Sequence, residues 1–203
     1  MNILTGAAIE WRCDPYGVAP RVYFANHGSH LDFVAIWSAL PRRVRRDVRP
    51  VAGRDYWART PARRLLADRV FHAVLIDRGV TPERAGAAAR ASLARMAAEV
   101  AGHHSLIVFP EGTRSRDGEI GAFKSGLFHL SRLCPDAELI PVYVGNLHRV
   151  LPKGEFLPVP MLSRVVFGPP LAAPAEGEEG KQAFLARARA ALVHLRGSHA
   201  DSN

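Results

Sequence analysis

Short apolar segments alternate with stretches of helical periodicity along most of the chain, a pattern typical of an α/β fold. The apolar segments predict six strands, at 21–25, 51–53, 72–77, 104–109, 138–144 and 164–167. The helical patterns predict helices at 31–40, 57–70, 82–101 and 123–133, and a last one around 184–195. No internal repeat interrupts this alternation, so the pattern favours a single α/β domain.

The length of 203 residues suits one domain with short extensions. Residues 1–20 precede the first predicted strand and mix apolar with charged side chains, so we interpret them as an N-terminal extension. The domain itself is expected to cover 21–196. Residues 197–203 follow the last predicted helix and are expected to form a disordered tail.

Charge narrows the possible partners without choosing among them. The chain has 27 basic against 19 acidic side chains, a net charge of +8, and all but three of the basic residues are arginine. Such a surplus suits a phosphate-rich partner, which could be a nucleotide-bearing co-substrate, an anionic membrane surface or a nucleic acid. An arginine-rich codon bias would produce the same composition.

The sequence also indicates a compartment. No apolar run approaches the roughly 18 residues that a membrane span needs. The first 20 residues lack the apolar centre of a secretory signal. Cys13 and Cys134 are too few for a disulfide framework or a metal cluster and suit packing in a reducing compartment. We therefore expect a cytoplasmic protein.

His27 and Asp32 form the first candidate site. Five positions apart, they would point about 140° apart on one helix. They can meet only if His27 lies in the turn after the strand at 21–25 and Asp32 lies in the first turn of the next helix. The carboxylate would then hold one imidazole nitrogen and leave the other as a base. The alternative is a strand-to-helix turn in which Asp32 only compensates the helix dipole and His27 only caps the helix.

A second candidate loop, 109–115, follows the strand predicted at 104–109. Gly112 allows a tight turn that exposes backbone amides, and Arg114 carries a planar guanidinium suited to phosphate. Glu111 could align Arg114 or accept a hydrogen bond from a substrate hydroxyl. The alternative is an ordinary turn with a surface Glu–Arg pair. Ligands bind beyond the carboxyl ends of strands in α/β sheets, so both loops and Arg78 are expected at one site.

Four ordered blocks give these residues a family resemblance. They are Asn26-His27 followed by four residues and then Asp32, Ile76-Asp77-Arg78, the heptapeptide Phe-Pro-Glu-Gly-Thr-Arg-Ser at 109–115, and Ile140-Pro141-Val142. In this order they resemble the glycerolipid acyltransferase family, which includes 1-acylglycerol-3-phosphate acyltransferases. The resemblance runs from about 21 to 146. It implies a mixed, mostly parallel sheet with helices on both sides.

The resemblance also implies a reaction. A fatty acyl group would move from a thioester donor, acyl-CoA or acyl-carrier protein, to the free hydroxyl of a lysophospholipid. The acceptor would be 1-acylglycerol-3-phosphate, giving phosphatidate, or else a different lipid or alcohol. No bound cofactor or metal is expected.

The resemblance assigns roles to particular residues. His27 would be the catalytic base and Asp32 its partner. Substrate binding would fall to seven residues of the same blocks, namely Asn26, Ser29, Arg78, Glu111, Gly112, Thr113 and Arg114.

A lipid acceptor further implies a peripheral enzyme on the inner face of the cell membrane. The arginines of 42–49, with Ile3, Leu4, Ile9 and Trp11, are the candidates for contact with an anionic bilayer. A solvated basic loop is the alternative interpretation of the same residues.

Three other functional classes fit less well. A metal-dependent hydrolase would use His27, His30 and Asp32 as ligands, but this spacing is not that of the common zinc helices. A nucleic-acid binder would leave the ordered blocks unexplained, so no nucleic-acid partner is expected. A serine hydrolase is disfavoured because no Gly-x-Ser-x-Gly sequence occurs.

Overall fold

The computed structural model describes residues 8–17, 20–29, 32–77, 81–115, 117–145, 164–174 and 179–197. The strands are β1 Ala8–Trp11, β2 Arg21–Ala25, β3 Val48–Gly53, β4 Val74–Ile76, β5 Ser105–Val108, β6 Glu138–Gly145 and β7 Arg164–Phe167. The helices are α1 Asp32–Ala39, α2 Arg42–Arg45, α3 Arg54–Trp57, α4 Pro61–Leu65, α5 Pro82–Ala101, α6 Gly126–Leu133 and α7 Lys181–Gly197. A π-helical turn, Leu66–Val70, continues α4.

All seven strands form one sheet in the order β1-β7-β6-β2-β5-β3-β4. The five strands β2 to β6 run parallel to one another, so their carboxyl ends meet at the same edge. Strand β7 pairs antiparallel with β6, and β1 pairs parallel with β7. The sheet is therefore mixed and mostly parallel, as predicted.

Strand β2 lies at the centre, and its five residues are all buried. Its side chains alternate between two hydrophobic cores, one on each face of the sheet. Phe24 belongs to the core that α5, α6 and α7 cover, whereas Tyr23 belongs to the core that α1 covers. Helices on both sides of the sheet confirm the predicted layering, and burial on both faces explains the continuous apolar run of β2.

The N-terminal boundary differs from the prediction. Ala8–Trp11, which the sequence placed in an extension, is the edge strand β1 of the same sheet. The ring of Trp11 stacks on Phe167 with centroids 3.7 Å apart, and Glu10 pairs with Arg164. A four-residue strand that carries a glutamate gives no clear alternation, so its partner β7 determines its conformation. Residues 198–203 of the predicted tail lie outside the described residues.

The helix predicted at 57–70 is in fact two segments. α3 ends at Trp57, and a new helix begins at Pro61 because the Thr60 side chain accepts a hydrogen bond from the Arg63 N–H. The helix predicted at 123–133 begins only at Gly126. The strand predicted at 51–53 starts three residues earlier, before Pro50, because its first half pairs with β5 and its second half with β4.

The burial of a side chain predicts how much stability is lost when that side chain is shortened. Phe167 is fully buried and also contacts Tyr23 edge-on, at 5.9 Å between centroids. We expect Phe167→Ala to lower the free energy of unfolding by about 3–5 kcal/mol, through lost burial and the cavity left behind. Urea denaturation measures this change.

Leu133→Ala is the matched control, because Leu133 is an exposed apolar residue. It should change the free energy of unfolding by no more than about 0.5 kcal/mol. Equal effects of the two substitutions would contradict the packing of β1, β2 and β7 described above.

Candidate active site

The carboxyl edge of the sheet gathers three segments that are far apart in sequence. His27 follows β2, the heptapeptide loop follows β5, and α3 follows β3 directly. Strand β5 lies between β2 and β3, so the loop after β5 borders both of the other segments. The predicted meeting of the first and third blocks at one edge is what the structure shows.

His27 and Asp32 face each other across the turn between β2 and α1. His27 Nδ1 and Asp32 Oδ2 are 2.9 Å apart. Asp32 is only 2% exposed, and the same Oδ2 accepts hydrogen bonds from the N–H groups of Gly28 at 2.7 Å and Ser29 at 2.8 Å. An ionised carboxylate only accepts, so it holds the proton on Nδ1 and leaves Nε2 as the basic nitrogen.

The rest of His27 is held as firmly as its Nδ1. Its ring stacks on Phe109 with centroids 4.3 Å apart and an angle of 22° between planes. Its carbonyl oxygen accepts a hydrogen bond of 2.7 Å from the Ser115 N–H. Both residues belong to the heptapeptide loop, so the third block fixes the position of the first.

Glu111 has a different place from the predicted one. Its carboxylate is buried, at 6% exposure, and among the described residues no hydrogen bond or ion pair joins it to Arg114. Oε1 accepts the His27 N–H at 2.8 Å, and Oε2 accepts the Gly121 N–H at 2.9 Å. The carboxylate thus joins three loop segments through their backbone, which favours a positioning role over the substrate contact predicted from the sequence.

Asn26 and Ser29 also hold the turn. The Asn26 side chain donates to the Val144 carbonyl at 2.9 Å and accepts the Val144 N–H at 2.8 Å, which ties the end of β2 to β6. Ser29 is buried beside Asp32. The hydrogen bonds of the Asn26 side chain, like those of Glu111, are made within the protein, and substrate binding by Asn26, Ser29 and Glu111 stays a prediction.

A cavity of about 500 Å³ opens beside the His27 ring. Besides His27, its lining includes three of the predicted substrate-binding residues, namely Gly112, Thr113 and Arg114. Further lining residues come from β3, α3 and the segment just after α3 and were not predicted from the sequence, namely Val51, Ala52, Gly53, Asp55, Tyr56, Trp57 and Arg59. Arg78, the remaining predicted residue, lies outside the described residues.

Gly112 is needed for the shape of this loop. Its φ is +72°, in the left-handed region that favours glycine. A Cβ at this position would also lie 2.8 Å from Lys124 Nζ, so the lysine side chain crosses directly over the glycine. Lys124 therefore brings a positive charge to the loop beside Gly112.

A second, apolar cavity of about 170 Å³ lies on the other side of the same loop. Val51, Phe109 and Gly112 line both cavities. Deeper apolar walls come from four side chains, namely Ile76, Met96, Leu127 and Leu130. His27 thus lies near two cavities, a polar one lined by arginines and an apolar one without arginines.

Metal binding was an alternative prediction. Across the described ranges, no group of three His, Cys, Asp or Glu side chains could hold a metal ion. His30 lies outside those ranges, so the set His27, His30 and Asp32 stays a prediction. Nδ1 and Oδ2 within hydrogen-bonding distance of each other form an acid–base pair.

The fold and the pair together define an α/β protein with a preorganised base at the carboxyl edge of its sheet. The chain matches the sequence profile of the family described as Acyltransferase over residues 17–145. It is 30% identical over 156 residues to a 1-acyl-sn-glycerol-3-phosphate acyltransferase of Limnanthes douglasii, covering 74% of this chain and 50% of that protein. It is 29% identical over 137 residues to the 1-acyl-sn-glycerol-3-phosphate acyltransferase alpha of Mus musculus, covering 67% of this chain and 44% of that protein.

A solved structure agrees with this fold. The crystal structure of the 1-acyl-sn-glycerophosphate (LPA) acyltransferase PlsC from Thermotoga maritima matches with a TM-score of 0.66 at 18% identity, covering 93% of this chain and 73% of that chain. The chain belongs to the acyltransferase family, as its motifs indicated. It spans about half the length of the sequence relatives it matches.

The two hydrogen bonds of Glu111 generate a prediction. In Glu111→Gln one carboxylate oxygen becomes an NH₂ donor that faces a backbone N–H, so one buried donor loses its acceptor. We expect the free energy of unfolding to fall by about 1–3 kcal/mol. Amide hydrogen exchange at His27 and Gly121, followed by NMR, should become faster.

Glu119→Gln is the control, because Glu119 lies in the same region and its exposed carboxylate pairs with Arg196. It should leave the exchange of both amides unchanged. Unchanged exchange in Glu111→Gln as well would show that this carboxylate does not hold the His27 backbone.

Proposed function

We propose that this protein is an O-acyltransferase that moves a fatty acyl group from a thioester donor to the free hydroxyl of a lysophospholipid. The acceptor proposed is 1-acylglycerol-3-phosphate, with phosphatidate as the product, and the donor is acyl-CoA or acyl-carrier protein. One observation carries the proposal: the His27 ring, fixed by Asp32 through Nδ1, borders a cavity that arginines line. The names of the sequence relatives support the same acceptor.

The mechanism needs no covalent enzyme intermediate. His27 Nε2 takes the proton of the acceptor hydroxyl while the hydroxyl oxygen attacks the carbonyl carbon of the thioester. The new C–O bond forms, the tetrahedral oxyanion collapses, and the C–S bond breaks. The leaving thiolate then takes the proton back from the imidazolium. Throughout, the Asp32 carboxylate stabilises the charge on the imidazolium and holds the ring in place.

The phosphate of the acceptor suits the polar cavity. Arg114 and Arg59 both line it, and a guanidinium can contact two phosphate oxygens at once. Thr113 adds a hydroxyl to the same wall. Arg78, from the second block, is proposed to help them. Asn26, Ser29 and Glu111 are proposed to act by positioning the loop that carries the base.

An acyl chain suits the apolar cavity beyond Gly112. Most of its lining is aliphatic or thioether side chains, among them Met96 and Leu127, Lys124 also lines it, and it adjoins the polar cavity through Phe109. The acyl chain of the proposed acceptor, bound in this cavity, would have its carboxyl end toward His27. Acceptors other than 1-acylglycerol-3-phosphate, lipids or other alcohols, would use the same base with different contacts to the arginines.

A lipid acceptor also places the reaction at a membrane, and we propose a peripheral enzyme on the cytoplasmic face. Within the described ranges, no helix has the length and apolar character needed to cross a bilayer. The surface predicted from the sequence is partly engaged inside the protein. Arg45 donates to the carbonyls of Ser38 and Leu40 and lies over the Trp37 ring, and Trp11 stacks in the sheet edge. Ile3 and Leu4 lie outside the described residues.

The base is tested by removing it. His27→Ala should lower the rate of thiol release in the presence of donor and acceptor by about 10² to 10⁴-fold, the usual value of a positioned general base. Asp32→Asn should also be severe, because the imidazole loses the negative charge that orients it and stabilises the imidazolium. Purified variants and lipid product analysis measure both.

His129→Ala serves as the control, since His129 is an exposed histidine of α6 that does not line the cavity. It should keep the wild-type rate. A His27→Ala variant with near wild-type turnover would exclude the proposed mechanism.

Arg114 tests recognition apart from chemistry. Arg114→Ala should raise the KM for 1-acylglycerol-3-phosphate about 10- to 100-fold, as expected for a lost charge-assisted contact. Arg114→Lys should restore only part of the affinity, because the single ammonium lacks the planar fork. The KM for the corresponding 1-acylglycerol, which has no phosphate, should hardly change.

Arg90→Ala is the matched control, because Arg90 is an exposed arginine of α5 outside the cavity lining. It should leave both KM values unchanged. Equal losses of Arg114→Ala on phosphorylated and unphosphorylated acceptors would assign Arg114 to the fold or to the acyl donor.

A further inference from the structure

The helix formed by α4 and the π-helical turn, 61–70, presents apolar side chains to solvent. Leu65 is 60% exposed, Leu66 is 43% exposed and Val70 is 46% exposed. Six large hydrophobic side chains are exposed in the described part of the chain, and three of them lie in this one stretch. Within 61–70 the buried residue is Ala67.

The spacing of these residues makes the exposure unusual. Ala62, Leu65, Leu66 and Val70 stand at positions i, i+3, i+4 and i+8, which normally mark the face that a helix turns toward a protein core. Here all four are exposed. A contiguous apolar face rimmed by charges, left in water, marks an interaction site.

The charges around this face are mostly positive. Residues 54–70 hold five arginines against two aspartates, a net charge of +3 in 17 residues. Arg64 and Arg69 are exposed on the helix itself, and Arg64 pairs with Asp68 at 3.7 Å, a distance that gives a weak surface pair. Arginines beside exposed leucines suit a lipid surface, where the arginines can contact anionic headgroups and the leucines can contact acyl chains.

The same segment is fixed to the wall of the active-site cavity. The guanidinium of Arg63 lies 4.3 Å from the centroid of the Tyr56 ring, and Tyr56 lines the cavity. Trp57, also in the lining, contacts Phe33 and Phe71 edge-on, and these two rings contact each other at 5.0 Å. Aromatic contacts thus hold both ends of the helix against α1 and the cavity.

We propose that 61–70 is the surface by which the protein docks on an anionic lipid bilayer. Leu65, Leu66 and Val70 enter the boundary between headgroups and acyl chains, and Arg64 and Arg69 contact the lipid phosphates. The inference rests on the proposed function, because a lipid acceptor gives the cavity a reason to face a membrane. It assigns docking to a different surface from the arginines of 42–49.

The test compares two double variants. Leu65→Glu with Leu66→Glu should weaken binding to phosphatidylglycerol vesicles about 10- to 100-fold, because two partly inserted leucines are lost and two charges are added. Leu133→Glu with Val193→Glu is the matched control, since both residues are exposed apolar side chains on other helices. The control should bind vesicles like the wild type. Co-sedimentation and circular dichroism measure binding and folding.

Headgroup charge is tested separately. Arg64→Gln with Arg69→Gln should weaken binding to phosphatidylglycerol vesicles by about fivefold per arginine, and raised salt should reduce the difference. Arg84→Gln with Arg90→Gln, two exposed arginines of α5, should leave binding unchanged. If both pairs of substitutions weakened vesicle binding equally, net charge alone would explain the attraction, and the proposed surface would be overturned.

Activity separates this proposal from the proposed function. The Leu65/Leu66 variant should lose turnover of 1-acylglycerol-3-phosphate held in vesicles, yet keep turnover of a short-chain, water-soluble analogue. If the wild-type protein transferred no acyl group to any acceptor, the enzyme assignment would be rejected. The vesicle assay would still decide the docking surface. Wild-type vesicle binding that the leucine variant retains would overturn the docking surface. A wild-type dimer that the variant converts to a monomer, without loss of vesicle binding, would instead identify an interface between copies of the chain.

Discussion

The hydrogen bond from the His27 N–H to the buried Glu111 carboxylate, 2.8 Å long, is the contact on which the site depends. Burying a carboxylate is costly unless donors surround it. Glu111 takes its donors from the backbone of two other segments, and Asp32 takes two from the turn that carries His27. The need to satisfy two buried carboxylates therefore dictates the path of the chain at the edge of the sheet. The imidazole orientation follows from that path.

The site accordingly has a rigid part and an adaptable part. Asp32 and Glu111 are buried and held by several hydrogen bonds, whereas Arg59 and Arg114 are exposed at the cavity. Proton transfer depends on distance within a fraction of an ångström, so the base benefits from rigidity. Long exposed arginines can follow a flexible phosphate, although water and salt weaken each contact. In the proposed mechanism, the division between chemistry and recognition is thus also one between buried and exposed charge.

Sequence patterns could predict what depends on neighbouring residues. Strands β2 and β7 are mostly continuous apolar runs, so both were predicted to the residue. The spacing of His27 and Asp32 allowed them to meet across a strand-to-helix turn, which is the arrangement observed. The edge strand β1 was missed because pairing with β7 defines it.

Contacts between distant positions were equally invisible in the sequence. Glu111 holds an amide 84 positions away in the chain, and Asn26 holds Val144 across 118 positions. Arg59 was missed for a related reason, since only the break between α3 and α4 places it at the cavity. In a lysophosphatidate the free hydroxyl lies between an acyl chain and a phosphate, so a base acting on it must lie between an apolar and a cationic region. Phe109, on which His27 stacks, lines both cavities, so this shared wall would orient an acceptor of the proposed kind.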